Sequence, residues 1–518
     1  MACNLLLSVT MSYKKDKILF WLEHYSIHFG IAKTLSEKYD CELYALISSS
    51  PKQKSFFDNQ KLVKFKKFWF VRDNVILKNY QPNLDKLKFL ENKFSIQLGK
   101  IIYADRLFYK FNKYYSFTDN EILSIIEQEL EFYEKVLNEI KPDYVVMRAP
   151  EFQDIELFYE LCKAKKIPIL VLSSMKFGTR WIISSKPYPT IQFDKSADNI
   201  EIKNFDILRK NVEQYLKIYR NIFSPNGKTY SKPSQKFNAL KLVFSTFNSS
   251  NINSYRDIGK TPWKILSSTI YSWFMAFYRK SYLNKNAQIS LPLNHPYVYF
   301  PLHMEPDVST LKIANFYEDQ INTIKNIAQS LPIEMTLLVK EHPSMRLIGW
   351  RNTKFYRDIR KLPNVKLIHP SIPGEIIIIN SSLVITIAGT TALEATCYGK
   401  PVIVFSDINC STLSSVSKIN NLEDLPIIIR KCLDLKVDLI ELNHFVYKVE
   451  KSTFICDVEN LNVSASNLFG VGGMLTMNKI SESQMKGFLE EYKNDFDILA
   501  TEHIKKIQLI KQNDNSYI

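Results

Sequence analysis

The chain has 518 residues, which exceeds one ordinary domain and predicts two domains with additional segments. Hydrophobic residues make up 46% of the sequence and aromatic residues 13%, so the chain can bury a large core and is not intrinsically disordered. The net charge of +15 favours anionic partners. Because the sequence contains no DNA- or RNA-binding motif, we expect an anionic substrate or an anionic membrane face.

The seven cysteines are an odd number, widely spaced and without a Cys-x-x-Cys pair. This pattern indicates a reducing compartment and argues against a disulfide scaffold or a zinc site. No basic segment precedes the short apolar run near the N-terminus, and no segment reaches 18 uninterrupted apolar residues. We therefore expect no signal peptide and no membrane span, and a protein that is cytoplasmic or peripheral on the cytoplasmic membrane.

A β–loop–α–β unit opens the chain, with the predicted elements Ile18–Leu22, Ile31–Lys38 and Glu42–Ile47. His24, His28 and Gly30 fall in the loop after the first strand, at the edge where parallel sheets bind ligands. Either imidazole is a candidate contact for an acceptor substrate. Solvent-exposed loop histidines without a function are an equally good interpretation.

A lysine- and aromatic-rich segment follows, in which Lys64, Lys66 and Lys67 alternate with aromatic side chains. Such a segment suits a glycan or a membrane surface. The interpretation we favour is an element whose lysine stems cover the edge of a core.

A second strand end carries charged residues. The pattern predicts a strand over 143–147, a helix over 155–165 and a strand over 167–172. Arg148 and Glu151 follow the first of these strands, and Lys176 and Arg180 follow the last. Glu151 is a candidate carboxylate on the acceptor side or a helix cap, Arg148 is an acceptor-side candidate, and the two later cations could meet an anionic acceptor.

The middle of the chain predicts a connector. A helix over 205–223 is followed by a polar stretch, 224–262, rich in Ser, Asn and Pro. The segment from Trp263 to Lys285 is aromatic and amphipathic, with basic residues towards its end. It can lie in a lipid interface or, as we favour, pack across the domain junction.

The stretch from Tyr297 to Phe405 repeats one pattern: a short β-branched strand, polar residues, then a helix. Met335–Val339 reads as a strand, and Lys340, His342 and Pro343 follow it. A cation and an imidazole on a loop stiffened by proline form a plausible clamp for a phosphate.

A third strand end shows the same arrangement. Leu383–Ala388 predicts a buried strand, and Gly389, Thr390 and Thr391 predict the turn into a helix closed by Gly399. The start of that helix favours an anion, and Glu394 one turn later could accept hydrogen bonds from ribose hydroxyls. An ordinary β–turn–α unit with Glu394 on a solvated face is the alternative.

These motifs carry a family resemblance. PLHMEPDVST, KEHP and GTTALEA, in this order and spacing, resemble the C-terminal half of the capsule and surface polysaccharide biosynthesis proteins. That group includes the bacterial β-Kdo transferases, glycosyltransferases of the GT-B fold that use CMP-activated sugars. The likeness is good over about 295–430. Residues 406–410 depart from the family pattern, where several relatives have a glycine and then an aromatic residue.

The resemblance implies an α/β protein with the GT-B-like fold: two Rossmann-like domains facing a cleft, and a helical C-terminal extension. We predict an acceptor domain over 1–223, a connector over 224–294, a nucleotide-sugar domain over 295–435, and a helical tail over 436–518. The implied partners are a nucleotide-sugar donor and a glycan or lipid-linked glycan acceptor. No nucleic acid, cofactor or metal ion is expected, because cations and the helix dipole can neutralise the phosphate.

The resemblance also suggests roles for individual residues. Lys340, His342 and the Thr390–Thr391 helix start would stabilise the leaving nucleotide, together with Pro343 and Gly389, and Glu394 would bind ribose. Asp307, at the family's acidic position, is the candidate base, with Glu305 and Glu151 as further catalytic candidates; capping the following helix is an equal alternative for Asp307.

Three other functions stay open. A CDP-polyol phosphotransferase has the same fold and a His-Pro loop, a sugar-nucleotide epimerase has the same two-domain plan, and a non-catalytic binding subunit would fit the altered loop at 406–410.

Overall fold

The structure is a computed structural model that describes residues 15–23, 27–77, 81–193, 200–223, 255–256, 258–292, 294–469 and 479–515. His24 lies outside the described residues, as do the glycines at 470, 472 and 473 and most of the polar connector. The described residues form two sheets.

The first sheet has seven strands: β1 (Asp16–Glu23), β2 (Cys41–Ser48), β3 (Phe65–Phe70), β4 (Tyr144–Arg148), β5 (Ile169–Ser174), β6 (Arg180–Ser184) and β13 (Phe454–Ile455). Their order is β13-β6-β5-β4-β1-β2-β3. Strands β1 to β5 are parallel, whereas β6 runs antiparallel to both of its neighbours. The strand order reverses between β1 and β4, which makes this a Rossmann-like sheet with its ligand crevice at that point.

The second sheet has six strands: β7 (Tyr297–Pro301), β8 (Thr336–Lys340), β9 (Val365–Ile368), β10 (Leu383–Thr386), β11 (Val402–Val404) and β12 (Val416–Lys418). All pairs are parallel, in the order β12-β11-β10-β7-β8-β9. The order reverses between β7 and β10. The loops after these two strands therefore flank the crevice of the second domain.

Eighteen α-helices accompany the strands in the described residues: α1 (Ile27–Lys38), α2 (Pro51–Asn59), α3 (Val71–Asn74), α4 (Leu84–Phe94), α5 (Leu98–Tyr103), α6 (Asp119–Ile140), α7 (Gln153–Ala164), α8 (Phe205–Phe223), α9 (Pro262–Asn286), α10 (Gln320–Ser330), α11 (Thr353–Arg360), α12 (Gly374–Asn380), α13 (Thr391–Cys397), α14 (Leu425–Leu433), α15 (Leu439–Ser452), α16 (Val458–Phe469), α17 (Glu482–Glu491) and α18 (Lys493–Asn515). Short π- or 3-10 turns cover 107–111, 309–313, 315–317, 343–348 and 422–424.

Each sheet is buried on both faces. In β1, Ile18 and Phe20 belong to one apolar core and Leu19 and Trp21 to the core on the other side. In the second sheet, Val298 and Tyr299 likewise enter opposite cores. This arrangement explains why the strands read as continuous apolar runs in the sequence instead of alternating.

The C-terminal helices pack on the first domain. Residues of α16, α17 and α18 share one core with α1 and with β1. Gly30 of α1 lies against Phe496, since a Cβ at Gly30 would sit 2.2 Å from a ring carbon. The glycine lets the two helices approach, so it serves packing and not the loop turn that the sequence suggested.

One expectation about the first domain is corrected. Helix α1 begins at Ile27, so His28 lies in a helix and not in a loop. Arg180, which the sequence suggested as a contact for an anionic acceptor, donates to the Glu450 carbonyl at 3.2 Å and to Thr453 at 3.3 Å, so part of its guanidinium is engaged by α15 and the residue after it.

The predicted fold class is confirmed: the chain has two Rossmann-like sheets facing a cleft and a helical C-terminal region. Strand β3 is the sheet edge, and its lysines pair with carboxylates, Lys66 with Glu42 at 3.4 Å and Lys67 with Glu139. Among the described residues, no helix is long and apolar enough to cross a membrane.

Candidate active site in the interdomain cleft

The crevice between β7 and β10 is bridged by His303. Its Nε2 accepts a hydrogen bond from the Ala388 amide at 3.4 Å and lies 3.3 Å from Thr386 Oγ1. Burial lowers the pKa of His303 to about 4, and Asp307 opposes this shift. The ring is therefore neutral at pH 7, and it fixes the loop after β7 to the loop after β10.

Asp307 lies in the same loop and faces several basic groups. Burial lowers the pKa values of His303, His342 and Lys176, and the negative charge of Asp307 opposes this lowering in each, so all three are within electrostatic reach of its carboxylate. Its Oδ2 also accepts from the Ser309 amide, but this distance is 3.4 Å. This capping bond is long and therefore weak, so capping alone does not account for the basic groups around the carboxylate.

The loop after β8 presents His342. Its Nδ1 accepts from the Ser344 amide at 3.2 Å, so the proton of the neutral ring is assigned to Nε2. Burial lowers the pKa of His342 to about 4, Lys340 and Arg351 act in the same direction, and Asp307 opposes them. His342 is thus a neutral N–H donor at physiological pH. Pro343 is the first residue of the turn that follows.

A buried ion network supports that loop. Arg351 bonds Glu341 at 3.0 Å and pairs with Glu305 at 2.6 Å, and it donates to the carbonyl of His303. Glu341 also accepts from Tyr356 at 2.7 Å and from the His342 amide at 2.6 Å. The network fixes the loops after β7 and β8 relative to each other. Glu305, which sequence reasoning placed among the catalytic candidates, is engaged by Arg351.

Lys340 and Glu394 lie deeper in the crevice. A Cβ on Gly374 would be 4.0 Å from Lys340 Nζ and 3.9 Å from the Tyr299 hydroxyl. Burial raises the pKa of Tyr299, and the Glu394 carboxylate adds to the shift, so Glu394 lies close to the same hydroxyl. Lys340 and Glu394, both predicted to bind the donor nucleotide, are therefore buried around Tyr299 and do not lie on a solvated face.

The Gly389 turn is tightly packed. A Cβ on Gly389 would sit 2.7 Å from Thr386 Oγ1 and 3.3 Å from the His303 ring, which explains the glycine. Thr390 and Thr391 begin α13, a helix of only seven residues. Gly399 ends it with a φ of +72°, as the sequence predicted.

The first domain contributes Lys176 and Tyr188 to the opposite wall of the cleft. They line a cavity of about 60 Å³ together with Gly389 and Thr390. Burial lowers the pKa of Lys176, and Asp307 opposes this shift, so a cation from one domain faces a carboxylate from the other. This arrangement brings Lys176, proposed from the sequence as an acceptor contact, beside the donor motifs.

The loop at 406–410, which departs from the family pattern, joins the two domains. Asn409 donates to the Met175 carbonyl at 2.9 Å and accepts from the Ile191 amide at 3.4 Å. Thr412 donates to the Ile191 carbonyl at 2.9 Å. Hydrogen bonds of Asn409 and Thr412 therefore connect the two domains at this position.

A larger cavity of about 560 Å³ opens beside the loop after β7. Tyr103 and Lys110 line it from the first domain, and Glu305, Thr310 and Phe316 from the second. Tyr103 and Phe316 are strongly exposed. Pro306, the residue before Asp307, also lines this cavity.

Arg148 and Glu151 belong to a separate cluster at the crevice of the first sheet. Arg148 pairs with Glu23 at 2.7 Å and with Glu151 at 2.6 Å, and Arg106 pairs with Glu151 at 3.2 Å. Burial raises the pKa of Glu151, but the two arginines outweigh it and the pKa is lowered overall. A carboxylate with a lowered pKa accepts a proton less readily than one in the usual range.

His28 is buried away from the donor motifs. Burial lowers its pKa to about 3, and the nearby His503 of α18 acts in the same direction. Within the described part of the chain, no group of three or more His, Cys, Asp or Glu is suited to hold a metal ion.

Three residues of this site carried little or no sequence signal. His303 stands in the same phase after β7 as His342 after β8, and that repeat could have pointed to it. Arg351 follows a turn eight residues after the Lys-x-His-Pro motif, and no local pattern predicts its partners. Asn409 lies where the family pattern is broken.

Comparisons with known proteins agree with the predicted family. Residues 212–408 match the family model described as capsule polysaccharide biosynthesis protein. No curated protein matches the sequence.

Solved structures match this chain at low similarity. The β-Kdo 2,7 transferase KpsC of Thermosulfurimonas dismutans is 10% identical, with a TM-score of 0.30, over 70% of this chain and 89% of that one. Alr3699/HepE of Anabaena, in complex with UDP, is 12% identical, with a TM-score of 0.29, over 87% and 98%. The UDP-GlcNAc 2-epimerase of Methanocaldococcus jannaschii is 14% identical, with a TM-score of 0.26, over 84% and 99%. Structural likeness at this level does not indicate a substrate. The family model, in contrast, covers both the KEHP loop and the GTTALEA helix. Over residues 212–408 this chain therefore carries the sequence pattern of the capsule polysaccharide biosynthesis proteins.

Proposed function

We propose that this protein is a glycosyltransferase of the GT-B type that moves a sugar from a nucleotide-activated donor to a growing surface or capsular polysaccharide. The observation that supports this most directly is the convergence of His342, His303, Asp307 and Lys176 at one crevice. Glycosyl transfer needs stabilisation of a departing phosphate and a base for the acceptor hydroxyl. The crevice offers cations and N–H donors for the first and a carboxylate for the second.

The donor nucleotide would occupy the second domain. His342 donates from Nε2 to a phosphate oxygen, and Lys340 supplies positive charge from the same loop. Gly389, Thr390 and Thr391 line the phosphate side, and Glu394 accepts from ribose hydroxyls. We take a cytidine nucleotide as the first donor to test, since the family resemblance implies CMP-linked sugars.

The acceptor would enter through the 560 Å³ cavity, which is lined by Pro306, the neighbour of Asp307 in the chain. Tyr103 and Phe316 present exposed rings to it, which suits the apolar faces of sugar residues. Asp307 would then remove the proton of the attacking hydroxyl. Lys340 and Lys176 would offset the charge of the leaving phosphate and the neutral His342 would donate a hydrogen bond to it, so the reaction would need no metal ion.

Product analysis separates this proposal from its alternatives. With a CMP-sugar and a glycan acceptor, transfer releases CMP and leaves no phosphorus in the glycan, and chelation of metals leaves the rate unchanged. A phosphodiester in the product would instead identify a CDP-polyol phosphotransferase. Conversion of a sugar nucleotide without acceptor would identify an epimerase, and glycan binding without turnover a non-catalytic subunit.

Calorimetry with CMP, CDP, UDP and GDP tests the nucleotide site itself. His342→Ala should weaken binding of the preferred nucleotide by about 1.5–3 kcal/mol, the usual range for a hydrogen bond to a charged group. His369→Ala is the matched control, because His369 follows the neighbouring strand β9 and bonds Ser371 and Asn284 outside the crevice. If both variants bind every nucleotide as wild type does, the site lies elsewhere.

A further inference from the structure

Helix α9 carries an apolar face that the described part of the protein leaves uncovered. Six of its large side chains are each at least 60% exposed: Trp263, Ile270, Tyr271, Trp273, Phe274 and Phe277. At about 100° per residue, these six lie within an arc of about 160°. The face is therefore continuous, and it is too large to be a scatter of single exposed residues.

The opposite face of α9 is already fixed to the protein. Ile265 and Leu283 are buried there, and Ala276 contacts the position of Gly349, where a Cβ would be 3.4 Å away. Arg279 donates to the Trp350 carbonyl at 3.1 Å. The helix thus has its packing partner on one side, so the exposed side is not a core face that the fold failed to bury.

The charged side chains of α9 itself are all positive. Helix α9 contains Lys264, Arg279, Lys280 and Lys285 and no Asp or Glu. Lys264 and Lys280 flank the apolar arc on its two sides, as the same helical spacing shows. The neighbouring helix α11 places Arg360 beside the last turn of α9, where its guanidinium donates to Asn286; the same helix also carries Asp358.

From this arrangement we infer that the exposed face of α9 binds an anionic phospholipid surface, with the helix lying in the membrane plane. Trp and Tyr rings with flanking lysines are the composition of interfacial helices, and no described helix is apolar enough to span the bilayer. A second copy of the chain is a poor occupant, because a symmetric contact would oppose two cationic helices. The edge strand β3 is not part of this surface, since two of its lysines are paired with carboxylates.

The position of α9 links this surface to the cleft. Its first turn contacts the first domain, where Lys264 donates to the Tyr114 carbonyl at 3.1 Å. Its last turns contact Gly349 and Trp350, next to Arg351, which supports the His342 loop. Membrane docking would therefore hold the cleft beside the bilayer, where a lipid-linked acceptor is located. The inference stands without the proposed activity, because it rests on surface residues alone.

Vesicle co-sedimentation of the full chain tests the inference. Wild-type protein should sediment with phosphatidylcholine–phosphatidylglycerol vesicles, and it should bind pure phosphatidylcholine and high-salt samples much more weakly. Combining Trp263→Ser, Trp273→Ser and Phe277→Ser should lower vesicle affinity by about tenfold or more. The matched control combines Phe89→Ser, Ile333→Ser and Ile427→Ser, which removes three equally exposed side chains elsewhere and should leave affinity unchanged.

Three results would overturn the inference: no sedimentation of wild type with anionic vesicles at low salt, equal affinity of the two triple variants, or a wild-type dimer that the α9 triple variant converts to monomer without lipid. If the α9 triple variant does not fold, Lys280→Glu with Lys285→Glu decides the matter, because this pair must also lower affinity for anionic vesicles. Calorimetry with nucleotides on the same variants measures the donor site separately, so a loss of vesicle binding can be distinguished from a loss of nucleotide binding.

Discussion

Asp307→Asn separates catalysis from capping at the centre of the proposed mechanism. The substitution keeps the shape of the side chain and an oxygen that can accept from the Ser309 amide. That bond is 3.4 Å long in the native protein, so little stability depends on it, and Asn caps about as well as Asp. We expect the free energy of unfolding to change by less than about 1 kcal/mol.

The same substitution should reduce turnover strongly. A base acts on the acceptor proton in the transition state, so its removal leaves ground-state nucleotide binding nearly intact. We expect kcat to fall by about 10²-fold or more, while the dissociation constant for the nucleotide changes little. Steady-state transfer assays and calorimetry on the same preparation provide both values.

Asp438→Asn is the matched control for this experiment. Asp438 caps α15 and lines neither cavity, and its Oδ1 accepts from the Ile440 amide at 2.8 Å, so both stability and turnover should stay close to wild type. An Asp307→Asn variant with an unimpaired transfer rate would remove Asp307 from the mechanism. The next carboxylate to test would be Glu151, although two arginines hold its pKa below the usual range.

Further outcomes follow from the buried groups. Arg351→Met should cost about 3–5 kcal/mol in urea unfolding, because it leaves the buried Glu341 charge without its cation; replacing Glu341 as well, with Gln, should recover part of the loss. The pKa values of His303, His342 and His503 are each lowered to about 4, so below pH 6.5 these imidazoles bind protons more readily in the unfolded state than in the folded state. The free energy of unfolding should therefore fall by about 1.4 kcal/mol per pH unit per imidazole as the pH falls from 6.5 to 4. An unfolding midpoint that is unchanged between pH 7 and 5 would contradict this. Gly30→Ala should destabilise by about 1–3 kcal/mol through its clash with Phe496, whereas Gly487→Ala, with open space around it, should not.

Features set by neighbouring residues were predictable from the sequence. The strand–turn–helix unit around Gly389 and Gly399 was legible, because β-branched runs, glycine turns and helix ends are local in origin. The strand ends of a parallel sheet meet at one edge, so Lys340, His342 and Gly389 could be placed together before any coordinates. Predicting that these three residues lie together did not require the pairing register between the strands.

Features set by distant residues were not predictable. Arg351 acts through Glu341, Glu305 and a carbonyl 48 residues away, and nothing in its neighbourhood indicates these partners. His28 was expected in a loop, but its burial depends on α18, which packs on α1 from the far end of the chain. Likewise, Lys176 comes near Asp307 only because the two domains face each other across the cleft, which no local pattern predicts.

The loop at 406–410, which departs from the family pattern, contacts the first domain. Asn409 and Thr412 form hydrogen bonds with Met175 and Ile191 of the first domain, and Asn409 also lines the cavity of about 60 Å³. Under the proposed function, a nucleotide-sugar that entered this cavity would have to widen it, and widening would break those bonds. Each such bond contributes about 0.5–1.5 kcal/mol, so breaking them would reduce the net binding energy of the donor. The altered loop at 406–410 would then affect the proposed reaction through the width of the cleft.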